Sequence, residues 1–566
     1  MSRNAVGGTL PDRDAPPRMT SYEDERRSYR IGVAERFNAV RDIVEAWAAE
    51  DPDAVALVSL DGQGDVVAEH TAAGLAYESR RAARALRELG IGKGDHVFVM
   101  LPRVPAWYFV LLGAMRIGAV PMPGPNLLTG RDIAYRIEQG EAVAAITDAA
   151  GAEKVDGIEA DLPTLRHRIR WSSDGTRHDG WEDLDALMDG AGDGSVPGDP
   201  TSHDDPLLLY FTSGTVSYPK MVMHAQSYAL GHIGTARFWH DLRPGDRHWT
   251  ITDTGWAKAA WGGLFGQWHE RATVVQVALG KPSADTILSI VADQRITSFC
   301  APPTLYRLLV QADLKAYDLS ALRHCTSAGE PLNPEVIRIW KDGTGLTVYD
   351  GYGQTETTAL VANYRVVPVR PGSMGLPVPG YDVEIRDDGG KPAPDGEVGN
   401  IAVRAEPRPV GLFGGYHLDA DATAMRFRDG WYYTGDRASR DADGYIWFEG
   451  RDDDVITSSA YRIGPFEVES ALIEHPAVAE AGVVGKPDPD RTEIVCAFVI
   501  LARGYEPSEE LTREIQGHVR QVAAPYKYPR EIHYVTELPK TISGKIRRVE
   551  LREWLKTSTP DHVKPS

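Results

Sequence analysis

Leu207-Leu208-Leu209-Tyr210-Phe211-Thr212-Ser213-Gly214-Thr215-Val216-Ser217-Tyr218-Pro219-Lys220 joins an unbroken apolar run to a turn of hydroxyls, one glycine and one lysine. An apolar run of this length bounded by turn residues reads as a buried strand. The Gly, Asp and Pro cluster from Asp189 to Pro206 just before it reads as a loop. Outward from this point, strand-like runs recur at Val97 to Leu101, Thr273 to Val277 and Ile296 to Cys300, separated by segments long enough for helices. The alternation predicts an α/β fold with several packed β-sheets and helices in a large N-terminal domain. Beyond Gly396 the strands become short, at Glu397 to Arg404, Tyr445 to Glu449 and Val455 to Ser458, with acidic or Gly-rich turns between them. The polar run Arg451-Asp452-Asp453-Asp454 suits a solvated connection, and the 112 residues from Val455 to Ser566 suffice for a small α/β domain. We therefore expect a mobile arm over 1–30, a large domain over 31–452 and a small mobile domain over 453–566, hinged at Asp453.

The 566 residues, 42% of them hydrophobic, can bury a large core. Lys and Arg total 61 against 81 Asp and Glu, a formal charge of −20, which argues against nucleic acid as a partner. Cys300, Cys325 and Cys496 lie far apart, so neither a disulfide framework nor a closely spaced zinc site is suggested, and a reducing cytoplasm fits. Met1 to Arg30 is rich in Arg, Asp and Pro and lacks the apolar stretch of a signal peptide. The most apolar run, Ala106 to Met115, is interrupted by Arg116 and is too short for a membrane span, so no membrane insertion is expected.

Four segments can carry chemistry. The turn Thr212 to Lys220 offers hydroxyls and an ammonium for phosphate oxygens, although it lacks the P-loop pattern and a plain surface turn has the same composition. Asp350-Gly351-Tyr352-Gly353-Gln354-Thr355-Glu356 combines glycines, an aromatic face, a hydroxyl and a carboxylate, all usable for a nucleotide and Mg²⁺. It also fits a tight turn closing a strand. Tyr432-Tyr433-Thr434-Gly435-Asp436 and Gly450-Arg451 read equally well as hairpin turns.

In this order and at these separations the segments resemble the adenylate-forming superfamily of acyl- and aryl-CoA synthetases, luciferases and peptide-synthetase adenylation domains, over about residues 30 to 555. The stretch Gly450 to Glu469, with Ala524-Pro525-Tyr526-Lys527-Tyr528-Pro529-Arg530 and Pro539-Lys540-Thr541-Ile542-Ser543-Gly544-Lys545, is similar to the medium-chain acyl-CoA synthetase branch. The resemblance implies an AMP-forming acid–thiol ligase. A carboxylate attacks the α-phosphate of ATP, and the sulfur of coenzyme A then attacks the acyl-adenylate carbonyl. By the same resemblance, Thr212, Ser213, Gly214, Thr215 and Lys220 hold the β- and γ-phosphates, Gly329, Glu330 and Pro331 with Asp350, Gly351 and Tyr352 flank adenine, and Thr355 contacts the α-phosphate. Gly353 and Gln354 belong to the same nucleotide segment. Glu356 binds Mg²⁺, Asp436 takes both ribose hydroxyls and Arg451 donates to the ribose. Lys545 is the adenylation lysine, whose cationic head stabilises charge developing at the α-phosphate. The small domain rotates about Asp453 between the half-reactions, so that the Arg451 to Arg462 loop serves thioester formation. Ser459, Ala460 and Tyr461 line the pantetheine tunnel, and Arg462, Arg491 and Arg520 contact ligand or the coenzyme A nucleotide.

Val216 and Ser217 depart from the family's T-S-G-T-[ST]-G-x-P-K pattern, removing a hydroxyl donor and placing a Cβ where glycine stands. A second reading follows: an enzyme that only converts a preformed acyl-adenylate, made by a separate adenylating enzyme, to the thioester. Lys545 stands against it. A third reading is a ligase that loads a carrier protein, against which no carrier domain follows Ser566 and the arginines favour coenzyme A. Thr358 and Ala460 replace glycines of the family pattern, and Ala460 adds only a methyl group to the tunnel. The family's acetate enzymes close the acyl pocket with a Trp where this chain has Gly353, which implies a deep pocket for a medium-chain, aromatic or polycyclic acid. The candidate wall Thr254 to Gly266 contains Trp256, Ala257, Lys258 and Trp261. Lys258 either meets a polar or second acidic group of the substrate or faces solvent.

Overall fold

In the computed structural model the structure describes residues 10–564 except 159–161, 173–174, 193–195, 197–200, 213–218, 281–282, 452–453, 459–460, 490, 524–525, 541–544 and 557–562. Its centre is a nine-stranded sheet. From edge to edge it runs Leu376–Pro377, Ala359–Ala362, Val348–Gly353, His324–Ala328, Ser298–Ala301, Arg247–Thr250, Thr273–Val277, Val55–Leu60 and Val66–Thr71. The inner pairings from Val348–Gly353 to Val55–Leu60 are all parallel. Parallel strands are covered on both faces by their crossover helices, and Ser298–Ala301, Thr273–Val277 and His324–Ala328 are buried at every position. A second, all-parallel sheet of five strands carries His96–Met100 between Val120–Pro123 and Ala144–Thr147. The apolar run after it forms the helix Pro105–Arg116, buried from Ala106 to Met115. Among the described residues no helix is long and apolar enough to cross a membrane.

The hairpin Pro206–Phe211 and Met221–Ala225 stands apart as a two-stranded sheet whose connection is the hydroxyl-rich turn. Thr212 and Lys220 close the neck of that turn: the Thr212 amide donates to the Lys220 carbonyl at 2.9 Å and the Lys220 amide to Thr212 Oγ1 at 2.9 Å. Ser213, Gly214, Thr215, Val216 and Ser217 lie outside the described residues.

A five-stranded antiparallel sheet contains Gly399–Arg404, Trp431–Arg440 and Ile446–Arg451. Tyr432 to Asp436 is therefore strand interior and not a hairpin turn; Gly435 takes a positive φ of 78°, beside a register shift in the ladder. After Arg451 sheet membership changes, and Ile456–Ser458 opens a six-stranded sheet with Tyr461–Ile463, Val478–Asp488, Thr492–Leu501, Glu531–Val535 and Val563–Lys564. Asp453, the expected hinge, lies between the two sheets and outside the described residues.

The described part of the expected arm is laid down on the large domain. Met19 and Tyr22 are buried, the Tyr22 hydroxyl donates to the Pro377 carbonyl at 2.8 Å, and Arg18 pairs with Glu270 at 2.8 Å. Its polar composition conceals two apolar anchors and the helix Tyr22–Ser28, capped by Ser21.

Candidate active site

A cavity of about 470 Å³ opens at the C-terminal ends of His324–Ala328 and Val348–Gly353. Ligands of parallel α/β sheets bind in this place because the strand ends and their loops converge there. Its lining brings together Thr212, Lys220, Gly329, Glu330 and Pro331, the whole run Asp350 to Glu356, and Asp436, Arg451 and Lys545. Glu469, Glu480 and Arg548 of the C-terminal sheet and its helices close it from the other side.

Asp436 is 6% exposed and already organised. Tyr352 Oη and Gln354 Nε2 both donate to its Oδ2 at 2.6 Å, and Tyr432 Oη fixes the Gln354 amide through Oε1 at 2.8 Å. Its Oδ1 faces Arg451 Nε at 4.0 Å. One carboxylate oxygen is thus spent on protein donors, while the other is directed beside a guanidinium, an arrangement that can accept a ligand hydroxyl.

Glu356 is buried, and Tyr416 Oη donates to its Oε1 at 2.8 Å. Burial pushes its carboxyl above the usual range, with the Tyr416 bond and the Arg426 charge pulling the other way. Among the described residues no cationic side chain comes within ion-pair distance of it; Lys220 instead sits 4.8 Å over the Tyr416 ring. A buried carboxylate short of positive charge fits a divalent cation carried in with phosphate oxygens. His224 donates from Nε2 to the Thr355 carbonyl at 2.7 Å and holds this turn; burial lowers its pKa to about 4, so it is neutral there.

Asp350 is buried within the strand Val348–Gly353 and accepts from the Gly351 amide at 3.0 Å and, weakly, from Leu332 at 3.4 Å. Burial pushes its carboxyl up to about 8. Lys545 keeps accessible surface yet is surrounded by protein, because it stands in the cavity itself. Loss of bulk water depresses its pKa, and the Asp436, Glu330 and Glu356 carboxylates oppose that. Its position is built from below: Lys540 and Ile546 pair across the base of its loop, and Arg548 grips both oxygens of Glu469 at 2.7 and 2.8 Å. Arg552 reaches Asp454 at 2.6 Å.

The predicted acyl wall forms the helix Lys258–Gly263 and its approach. A Cβ on Gly353 would lie 2.4 Å from the Trp261 ring, and one on Gly351 2.6 Å from Trp239. The room left by a missing side chain at 353 is therefore filled by Trp261. Trp256 is partly accessible, and Ala257 and Trp261 are buried. Lys258 is half-buried, and its Nζ donates to the Ala328 carbonyl at 2.8 Å.

Of the residues expected at coenzyme A, Arg491 and Arg520 do not line this cavity. Arg491 and Arg520 are exposed, the latter with its guanidinium 3.8 Å over Tyr528. Tyr461 and Arg462 lie on the short strand Tyr461–Ile463, and Ser459 and Ala460 fall outside the described residues. Sequence reasoning missed Tyr416, Arg426, Arg307 and Arg548, all in the lining. For Arg548 a signal existed in the basic run Lys545-Ile546-Arg547-Arg548; for the others none did.

Comparison with known proteins agrees with this architecture. The model of the AMP-binding enzyme family matches residues 44–417, and that of the AMP-binding enzyme C-terminal domain matches 467–545. The mitochondrial acyl-coenzyme A synthetase ACSM3 of Mus musculus is 42% identical over 554 residues, covering 96% of this chain and 95% of that protein. ACSM5 of Homo sapiens, also named a mitochondrial acyl-coenzyme A synthetase, is 44% identical over 541 residues, with 92% and 91% covered. The crystal structure of the anthranilate CoA ligase AuaEII with anthranoyl-AMP superposes with a TM-score of 0.84 at 31% identity, covering 92% of this chain and 98% of that one. A benzoate CoA ligase from Burkholderia xenovorans LB400 gives 0.80 at 29% identity, covering 91% and 100%. Matched by both family models and by relatives above 40% identity along nearly its whole length, this chain belongs to the AMP-binding enzyme family, as an AMP-forming acyl-CoA synthetase.

Proposed function

We propose that the chain carries out both half-reactions on an aromatic or medium-chain carboxylic acid. The carrying observation is that Lys545, from the C-terminal domain, stands in one cavity with Thr355, Glu356 and Asp436. In the first step a carboxylate oxygen of the acid bonds to the α-phosphorus of ATP and pyrophosphate leaves with the electron pair of the broken P–O bond. Lys545 and the Thr355 hydroxyl face the charge that grows on the α-phosphate oxygens, where a preorganised cation in a water-poor site counts most. Asp436 Oδ1 and Arg451 hold the ribose, and the turn closed by Thr212 and Lys220 holds the distal phosphates. Glu356 would hold Mg²⁺, which supplies charge neutralisation to the phosphate oxygens. In the second step the sulfur of coenzyme A, losing its proton, bonds to the acyl carbonyl carbon and AMP leaves.

In the present arrangement the cavity holds Lys545 and leaves Arg491 and Arg520 outside it, so thioester formation calls for a rotation of the C-terminal domain about Asp453. The indoles of Trp239 and Trp261 packed against Gly351 and Gly353 favour a flat acyl group beside them, and the anthranilate and benzoate CoA ligases among the structural neighbours are named for such acids. Three buried free thiols favour a reducing compartment such as the cytoplasm. The Val216 and Ser217 departures support the alternative in which only the second step is retained. Purified protein given a panel of aromatic and medium-chain acids with ATP and coenzyme A is expected to release pyrophosphate and form thioester in equal amounts. Thioester from synthetic adenylates alone, with no pyrophosphate from any acid, would establish the single-step enzyme.

A further inference from the structure

On the C-terminal domain the parallel strands Thr492–Leu501 and Glu531–Val535 set Cys496 opposite Glu531 and Phe498 opposite His533. Side chains alternate between faces along a strand, so these four share one face, and no local spacing in the sequence announces them. The Cys496 sulfur, a Glu531 carboxylate oxygen and a His533 ring nitrogen all lie within 4.8 Å of one another. His533 Nε2 is 3.6 Å from Glu531 Oε2, is shut off from solvent and has no hydrogen-bond partner among the described residues. The Phe498 ring stacks on the imidazole with centroids 5.1 Å apart, and Trp554 meets Phe498 edge-on at 5.6 Å, which holds the imidazole in place. Lys486 Nζ sits on both Glu531 oxygens at 2.8 and 2.7 Å. That ammonium marks the point as one where positive charge is favoured, and its half-exposed chain is free to swing its head into water. None of these residues lines the nucleotide cavity.

We propose that Cys496, Glu531 and His533 form a binding site for a thiophilic divalent cation of the Zn²⁺ class, separate from the Mg²⁺ position at Glu356. One sulfur, one nitrogen and one oxygen donor suit Zn²⁺, whereas Mg²⁺ takes oxygen ligands. Donors held about 2.0 to 2.3 Å from Zn²⁺ in a tetrahedron stand roughly 3.3 to 3.7 Å apart. The histidine and glutamate atoms are already at that spacing, and the thiol needs only a small side-chain approach. The ion takes the place of the Lys486 ammonium at Glu531, the thiol gives up its proton on coordination, and water fills the fourth position. Thiolate and carboxylate together then balance the two positive charges. Glu531 and His533 are half-buried and admit the ion from solvent, while buried Cys496 anchors it from the core side.

The test titrates Co²⁺ into the full chain, reduced, stripped of metal and kept in excess Mg²⁺ so that oxygen-ligand sites stay filled. Wild type should bind one equivalent at micromolar protein and develop a near-ultraviolet thiolate-to-cobalt charge-transfer band, which Zn²⁺ then bleaches because it binds such donors more tightly. Cys496→Ser should abolish the band. His533→Gln, at the half-exposed edge, should weaken Co²⁺ binding by more than the about 10-fold that loss of an outer-shell partner costs. Circular dichroism and the melting temperature without metal show which variants fold, and either folded variant suffices to decide. The readout needs no turnover, so it stands apart from the ligase reading. A wild type without the band would overturn the site, as would a band unchanged in a folded Cys496→Ser or His533→Gln, which would move the thiolate to Cys300 or Cys325.

Discussion

At the scale of single residues, the site pairs groups whose surroundings push their ionisation away from ordinary values. Asp350 is the clearest case. The unfolded chain releases its proton near the usual carboxylate range, whereas the folded chain holds it to about pH 8. Between those values the native state binds more protons, so this group lowers stability as pH rises, and the effect levels off above pH 8. Asp350→Asn keeps an acceptor for the Leu332 and Gly351 amides and cannot ionise. Its melting temperature should exceed that of wild type by an increasing margin from pH 5 to 8, reaching about 2 °C or more; a margin that stays constant with pH would contradict the burial argument. The expected residues that line the cavity could be singled out because hydroxyl, glycine, carboxylate and lysine recur at spacings that the family resemblance makes specific. Tyr416 and Arg426 were not, because a tyrosine that donates to a buried carboxylate and an arginine that leans on a glycine carry no local pattern. Gly353 misled for a related reason: the absence of a side chain says nothing of which neighbour fills the gap, and here Trp261 does.

Among elements, the continuous apolar strands of the parallel sheets were readable from their runs, since burial on both faces removes the polar alternation. The strand Trp431–Arg440 was harder, because its Thr434-Gly435-Asp436 interior has the composition of a turn and only the bulged register keeps it extended. The N-terminal segment was misjudged for the opposite reason, two apolar anchors being invisible among arginines and aspartates. Where the C-terminal domain meets the large one, Glu449 at the end of the strand Ile446–Arg451 faces Glu467 on the helix Pro465–Ile473, and Lys527 pairs with Glu467. Burial first, and then the Glu467 charge, push the Glu449 carboxyl up to about 7. The proton that steadies this seam is present below that value and lost above it, so the arrangement weakens as pH rises through 7. A fluorescence-transfer pair on the two domains should report a closed population that falls several-fold from pH 6 to 8 in wild type. In Glu449→Gln it should stay flat, and an equal fall in the variant would remove Glu449 as the cause.

For the whole molecule, the two-domain division followed from the change in strand length after Gly396, but no sequence pattern reveals which face the small domain presents. The structure has it closed with Lys545 in the nucleotide cavity, its loop pinned by the Lys540 and Ile546 pairing and by Arg548 on Glu469. Arg491 and Arg520, expected at coenzyme A, are exposed. On the proposed reading one arrangement of the domains serves one half-reaction, and the separate use of Lys545 is its central consequence. The direct test is Lys545→Met with acid, ATP and coenzyme A on one side and the matching acyl-adenylate with coenzyme A on the other. Pyrophosphate release should fall by about 100- to 1,000-fold, the scale of losing one charge-stabilising donor, while thioester formation from the adenylate stays within a few-fold of wild type. Equal loss of both steps, or undiminished pyrophosphate release, would contradict the account.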